Sequence, residues 1–389
     1  MGREPVAILA AGVITPVGAD LESFWTSLVA GADGISSIER FPVGDLRVQR
    51  GGEIKTLPGA DSRSPRGGRA SRLLQAAADD LRTRFRLHVP SGRLAVVVGT
   101  ALGGVEEGER ALAGERVRGG AGGALYHMPA HALARHLGAH GPILTVGTAC
   151  AAGATAMGVG ADLLRDHRAD LVIAGGYDAL SRFVMRGFDA LRSLTRDRVR
   201  PFDRRRSGLL LGEGAALVAM ARDADAGPTR LGRLLGHSSA SDGSHIAAPD
   251  PEGRGLEFAL RQAMTEAQVS ADEINLVSAH GTGTLLNDRI ETVVLRRVLG
   301  QRALEVPVNS IKGSLGHTMG AAATLEAIMC LMAARHGMVP PTVGLEEVDP
   351  ACGLDHVPGG ARFHRSRVSV STSLGFGGCN AALVLEGCP

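Results

Sequence analysis

Five apolar, β-rich runs recur along this chain, and each gives way to small residues or to a helical pattern: LAVVVGT at 94–100, ILTVGT at 143–148, LVIAGG at 171–176, INLVSAHG at 274–281 and VSVSTSLGFGG at 368–378. Buried strands alternating with helices specify an α/β protein. Two segments nearly repeat. GEGAALVAM at 212–220 and GCNAALVLE at 378–386 share an AALV run offset by 381 − 215 = 166 positions, which points to two related halves, each closing on a similar strand. The polar ARDADAGPTR at 221–230 is the expected boundary, dividing residues 1–225 from 226–389. SRSPRGG at 62–68 reads as a surface excursion.

Composition narrows the function. At 389 residues and 44% hydrophobic content, the chain can bury a sizeable interior. A net charge of +2, no long block of like charge and only 3% aromatic residues argue against nucleic acid as a ligand. No apolar run is long enough to span a bilayer and no cleavage-site pattern follows the N-terminal apolar run, so a soluble, cytoplasmic protein without a membrane partner is expected. Cysteines at 150, 330, 352, 379 and 388 are odd in number and contain no CxxC pair, which favours neither a disulfide framework nor a zinc site. Of 42 basic residues only Lys55 and Lys312 are lysine, so each lysine marks a place where arginine does not serve.

Cys150 lies between the run ILTVGT and the helix-length stretch AAGATAMGVGADLLRDH, on a strand-to-helix turn. Such an elbow exposes a nucleophile, and the start of the helix is expected to lower the thiol pKa. The small neighbours allow close approach of another helix or a substrate chain. Taken alone, the stretch also suits a buried structural cysteine. His280, in SAHGTGT, sits in a Gly/Thr loop beyond a strand, where open α/β sheets place ligand chemistry. Lys312 and His317 share a glycine-punctuated loop ahead of a helix carrying Glu326 among apolar neighbours. A carboxylate buried there needs a cation, and Lys312 is the candidate. GFGG at 375–378 precedes a strand rather than a helix, so it is a poor dinucleotide signature.

Together these motifs resemble the β-ketoacyl-acyl carrier protein synthases of type I/II, in the thiolase-like superfamily. The resemblance runs nearly full length and in order, through AGVITPVG, FWTSLVAGADGI, GTALGG, GPILTVGTACAAGA, RPFDRRRSGLLLGEGA, AHGTGT, NSIKGSLGHTMGAA and SLGFGG. It implies an α/β thiolase-like fold, with two αβαβα halves in a five-layered core. It implies Cys150 as the acylated nucleophile, His280 and His317 as the active-site histidines, and Lys312 with Glu326 as a supporting pair. Thr282 and Thr284 match the threonines that bind the carrier's pantetheine arm. The N–H groups of Cys150 and Phe376 match an oxyanion hole, Phe376 also an aromatic gate, and Leu102 and Leu374 positions at the acyl pocket. No cofactor is implied beyond the phosphopantetheine arm of acyl carrier protein, the expected partner. The active form is implied to be a homodimer or a heterodimer with a chain-length factor.

The sequence departs from the family at Gly283, Leu285, Leu374 and Cys379, where Ser, Pro, Phe and Thr, Asn or His are usual, so the gate region is expected to suit an unusual acyl chain such as a polyene. A thiolase acting on coenzyme A esters is the main competitor. It is disfavoured because Cys379 follows GFGG rather than lying in a thiolase's glycine-cysteine context. An intact Cys150, His280 and His317 set likewise disfavours a chain-length factor. Arg63, Arg66, Arg69, Arg72, Arg200, Arg204, Arg205 and Arg206 form patches suited to an acidic carrier protein or to nothing more than solvent. His127/His131 and His136/His140 are each four apart, but Pro129 interrupts the pattern and no metal is expected.

Overall fold

The computed structural model describes residues 3–57, 67–115, 117 and 120–388. Its core strands fall into two sets of five in chain order. The first is β1 (Val6–Ile14), β2 (Leu94–Gly99), β3 (Ile143–Val146), β4 (Leu171–Asp178) and β5 (Gly214–Arg222). The second is β6 (Gly232–Ser241), β7 (Leu276–Ser278), β8 (Pro307–Asn309), β9 (Val368–Gly375) and β10 (Cys379–Gly387). The sets lie side by side as β1-β5-β4-β2-β3 and β6-β10-β9-β7-β8, the same spatial order in each. Directions repeat too. β5 runs antiparallel to β1 and β4, while β4, β2 and β3 are parallel. β10 runs antiparallel to β6 and β9, while β9, β7 and β8 are parallel. The two AALV runs are the equivalent strands β5 and β10, so the faint internal repeat marks a real structural one. Val6–Ile8 of β1 pair with Leu234–Gly232 of β6, which joins the halves into one sheet, and the short strand Asp355–His356 beside β8 makes it 11-stranded.

Helices fill the layers between. On the first half's outer face lie α1 (Arg69–Arg84) and α2 (Met128–Leu137); on the second half's lie α4 (Arg254–Ala267) and α5 (Leu285–Leu299). Between the halves, α3 (Ala152–Arg165) and α6 (Ala322–His336) touch each other and strands of both sets, which completes a five-layered, thiolase-like α/β arrangement. The outer helices are amphipathic: α1 buries Leu73, Leu74, Ala77, Ala78 and Leu81 on one stripe. By contrast α6 is buried from Ala322 through Ala334, as a helix apolar all round must be, and ends on left-handed Gly337.

The alanines and glycines around Cys150 are explained by this central layer. A Cβ at Gly153 of α3 would stand 2.6 Å from Thr324 Oγ1 and 2.7 Å from the Gly320 carbonyl oxygen, and one at Gly99 would stand 2.2 Å from the Ala152 backbone. Side chains at either position would force the two central helices or the adjoining strand apart.

Candidate active site

Glu326 sits on α6, and the other predicted catalytic side chains lie beyond the C-terminal ends of parallel strands. Cys150 follows β3, His280 follows β7, and Lys312 and His317 follow β8. Phe376 follows β9, whose end meets the Cys150 turn: a Cβ at Gly375 would be 3.1 Å from the Cys150 nitrogen. The elbow itself is strained. Ala149 has φ +48°, a left-handed conformation that non-glycine residues keep only when their surroundings impose it.

Cys150 Sγ lies 2.9 Å from His317 Nε2, and the His280 ring meets the His317 ring edge to face with centroids 5.2 Å apart. Lys312 Nζ bridges Glu326 and His280, contacting His280 Nδ1 at 3.3 Å and pairing with the Glu326 carboxylate. The Met319 N–H donates to His317 Nδ1 at 3.4 Å. The hydrogen-bond network therefore assigns one tautomer to both rings: Nδ1 accepts, from Lys312 in His280 and from Met319 in His317, and Nε2 carries the proton. Two neutral N–H donors face the same small space.

Electrostatics keep that set neutral. Burial, reinforced by the nearby Lys312 ammonium, holds both imidazoles well below the usual histidine range. Burial pushes the Glu326 carboxyl up, and Lys312 opposes it. One expectation is corrected here. Burial pushes the Cys150 thiol up to about 12, despite the opposing pull of Lys312 and the Phe376 N–H, so the start of α3 does not leave a free thiolate at neutral pH. Desolvation outweighs a helix terminus that stabilises charge by about 1 kcal/mol or less in most settings.

A cavity of about 390 Å³ opens onto Cys150, His280 and His317. Thr282 and Thr284 line it with their hydroxyls 3.0 Å apart, and Leu374 and Phe376 line it too. Phe376 stacks on Phe188 with centroids 5.2 Å apart and planes 18° from parallel. Leu102 does not line this cavity; it packs on an apolar cluster with Ile38, Leu194 and Met319, because its N–H is tied back to Asp178. Cys379 also lies outside the lining.

The arginine patches largely dissolve. Arg63 and Arg66 lie outside the described residues. Arg69 is buried, with Nε 2.8 Å from Glu213, and Arg206 is buried against Asp349 and the Thr284 carbonyl, 3.1 Å from Nε. Arg200 is mostly covered and pairs with Asp197 and Glu346. Arg72 is half-buried, and only Arg204 and Arg205 stand out in solvent, paired with Glu347 and Glu346. Counting arginines along the sequence cannot tell a surface cation from one recruited by a buried acid. Among the described residues no three His, Cys, Asp or Glu side chains gather as for a metal; His127 packs edge-on against His131, and His136 bonds Asp79.

Sequence reasoning missed the carboxylates that hold the loops. Glu291 accepts the N–H groups of His280 (2.7 Å) and Gly281 (2.8 Å) and the Thr372 hydroxyl (2.6 Å). Asp288 accepts those of Phe202 (2.8 Å) and Gly283 (3.2 Å). The signal was an acid pair three apart on the first turns of a helix that follows directly on AHGTGT. Phe188 gave no signal, since nothing in the sequence brings it to Phe376.

A buried thiol with paired imidazole N–H groups beside it, on a thiolase-like scaffold, forms a candidate active site suited to acyl transfer. The Beta-ketoacyl synthase, N-terminal domain profile matches residues 3–226 and the Beta-ketoacyl synthase, C-terminal domain profile matches residues 231–346, and the chain belongs to the β-ketoacyl synthase family. It is 36% identical over 412 residues to the tetracenomycin polyketide synthase ketoacyl synthase alpha subunit of Streptomyces glaucescens, covering 98% of this chain and 96% of that one. It is 31% identical over 408 residues to 3-oxoacyl-[acyl-carrier-protein] synthase 2 of a Synechocystis strain, covering 99% and 98%. Among solved structures, the ishigamide ketosynthase/chain length factor superposes with TM-score 0.92 at 31% identity, covering 100% of both chains.

Proposed function

We propose that this β-ketoacyl synthase condenses an acyl group held on Cys150 with a malonyl unit carried by acyl carrier protein, in polyketide or fatty-acid assembly. The observation that carries the reading is the single cluster in which His317 Nε2 stands 2.9 Å from the Cys150 sulfur with the His280 ring beside it. In the first half-reaction the sulfur attacks the acyl thioester carbonyl. The resulting oxyanion is held by the N–H groups of Cys150 and Phe376, and the carrier leaves as a thiol with the proton that Cys150 gave up. In the second, the malonyl thioester loses carbon dioxide, and the electron pair left behind forms an enolate whose oxygen takes hydrogen bonds from Nε2–H of His280 and His317. The enolate carbon then attacks the acyl-Cys150 carbonyl, the Cys150 thiolate leaves and takes up a proton from solvent, and the product is a β-ketoacyl thioester two carbons longer. Thr282 and Thr284 serve the pantetheine arm at the cavity wall.

The carrier partner is supported by the name of the Synechocystis relative, and a second ketosynthase-like chain by the ishigamide ketosynthase/chain length factor. The edge of the sheet adds to this. Among the described residues β3 has no neighbour on its outer side, and Leu125, Tyr126 and Leu144 nearby are 52%, 49% and 38% exposed. A bare strand edge beside exposed apolar side chains favours pairing with another chain. No helix of the described residues is long and apolar enough to cross a membrane. A thiolase reading is disfavoured because Cys379 does not line the cavity.

Mass spectrometry of the protein after exposure to acyl carriers tests the reading. Cys150→Ala is expected to carry no acyl adduct while His280→Ala and His317→Ala still load but fail to condense; acyl loading of Cys150→Ala at the wild-type level would overturn the assignment.

A further inference from the structure

Asp178 ends β4 at zero exposure, and among the described residues no cation pairs with it. Its carboxylate instead accepts four hydrogen bonds: Thr100 Oγ1 (2.6 Å), Ala101 N–H (2.9 Å), Leu102 N–H (3.0 Å) and Gly320 N–H (2.7 Å). Three of these donors belong to the loop after β2, in the first half. The fourth belongs to the loop of the second half that carries His317. Electrostatically the carboxylate is badly placed, since its charge raises the Cys150 thiol pKa. Its presence is accounted for by what it holds.

The critical contact is Gly320. The residue before it, Met319, has φ +51°, a left-handed conformation that a side chain this bulky adopts only under constraint. In that conformation successive N–H groups point to different acceptors: Met319 N–H to His317 Nδ1 at 3.4 Å, and Gly320 N–H to Asp178 at 2.7 Å. His317 in turn meets Cys150 through Nε2. No side chain fits at Gly320, where a Cβ would stand 2.7 Å from Asp178 Oδ2 and 2.7 Å from Thr100 Cα.

We propose that Asp178 is the positioning residue for His317: by anchoring the Gly320 N–H it holds Met319 left-handed, aims the Met319 N–H at Nδ1, and fixes the Nε2–H tautomer toward Cys150. The proposal rests on the role given to His317 above. Burial pushes the Asp178 carboxyl up to about 6 while its four donors pull it back, so it is ionised at neutral pH.

The test uses Asp178→Asn, which keeps the shape but removes the charge and turns one acceptor into a donor. Three measurements apply: steady-state condensation, ¹⁵N spectra of histidine-labelled protein, and the pH profile of Cys150 alkylation by iodoacetamide. We expect kcat to fall about 10- to 100-fold, with KM for the carrier substrate within about twofold. The His317 signal should change from the Nε2–H form to a mixture, and alkylation should shift to lower pH because a negative charge has gone. Gly320→Ala presses on the same contact without changing charge, so it should reproduce the kcat loss and the tautomer change without the alkylation shift. A folded Asp178→Asn with wild-type kcat and an unchanged His317 signal overturns the proposal. If that variant does not fold, the wild-type His317 signal decides: the Nε2–H form supports the proposal, and any other form overturns it. His317→Ala separates the two readings. If it condenses normally, the proposed function loses that residue; if it fails while Asp178→Asn works normally, only the present inference falls.

Discussion

The two halves use the same strand ends for opposite purposes. After its third strand, the first half turns at Gly147–Ala151 straight into α3 and carries one buried thiol, Cys150. The second half takes the longer path Ser310–Ala321 from β8 into α6, and on it hangs Lys312 and His317. After the second strand, the first half has only the Thr100–Leu102 loop, whereas the second has His280. At the end of the fourth strand stands Asp178 in one half and the Phe376 loop in the other. A duplicated scaffold brings both sets of strand ends to one place, so chemistry can be divided between them: the first half supplies the thiol and an anchor, the second the cation and the imidazoles. The central helices make this division workable, because small residues at Gly153 and Gly320 let the halves close to backbone contact.

That division can be tested where the second half is most charged. Lys312→Met strips the buried Glu326 of its cation and should cost about 3–5 kcal/mol in denaturant unfolding; adding Glu326→Leu should recover much of it, as removing both members of a buried pair does elsewhere. The equivalent part of the first half has no such pair, so a loss of only a few tenths would break the contrast.

A second test uses His356, on the edge strand Asp355–His356 of the second half, whose ring stacks on Phe202 with centroids 4.2 Å apart. Burial lowers it to about 4 from a usual value near 6.5. The unfolded chain therefore binds a proton that the folded one refuses, so its contribution is fully present above the unfolded value and is lost as pH falls from about 6.5 toward 4. At pH 5 this amounts to about 2 kcal/mol, and His356→Gln should flatten the stability profile over that window by this amount. A variant whose acid-side slope matches wild type would remove His356 from the account.

Smaller effects are expected at the gate, where the halves touch through one aromatic stack. Phe188→Ala should destabilise by about 1 kcal/mol through loss of the stack and should alter the range of acyl chains loaded onto Cys150. An unchanged chain-length profile would separate Phe188 from the gate. Leu374→Phe tests the same lining, and an identical profile there would refute a link between Leu374 and an unusual acyl chain. At the low end, Arg204→Ala should leave the denaturant midpoint indistinguishable from wild type, in keeping with an exposed pair.

Much of this was legible in the chain. All five apolar runs became core strands, within a few residues of their expected limits, because continuous β-branched sequence has few other places to go. The scarcity of lysine picked out Lys312, and the apolar flanks of Glu326 required the cation it has. What stayed hidden were groups defined by a partner distant in sequence. Asp178 closes an apolar strand and looks like an ordinary strand terminus until Gly320, from the other half, arrives at it. Arg69 and Arg206 read as surface charge until Glu213 and Asp349 meet them. The Cys150 thiol was misjudged for a related reason: the helix start is local and visible in sequence, whereas desolvation is the sum of everything packed around the sulfur.

The sequence by itself determined the family, the places of Cys150 and the two histidines, and the strands that carry them, since these depend on residue type and short-range order. Only the tertiary structure decided the tautomer of each imidazole, the protonation of the thiol, the carboxylates that aim the loops and the fate of the arginines. Those properties depend on hydrogen-bond partners and on exclusion of water, and both exist only once the two halves have closed on each other.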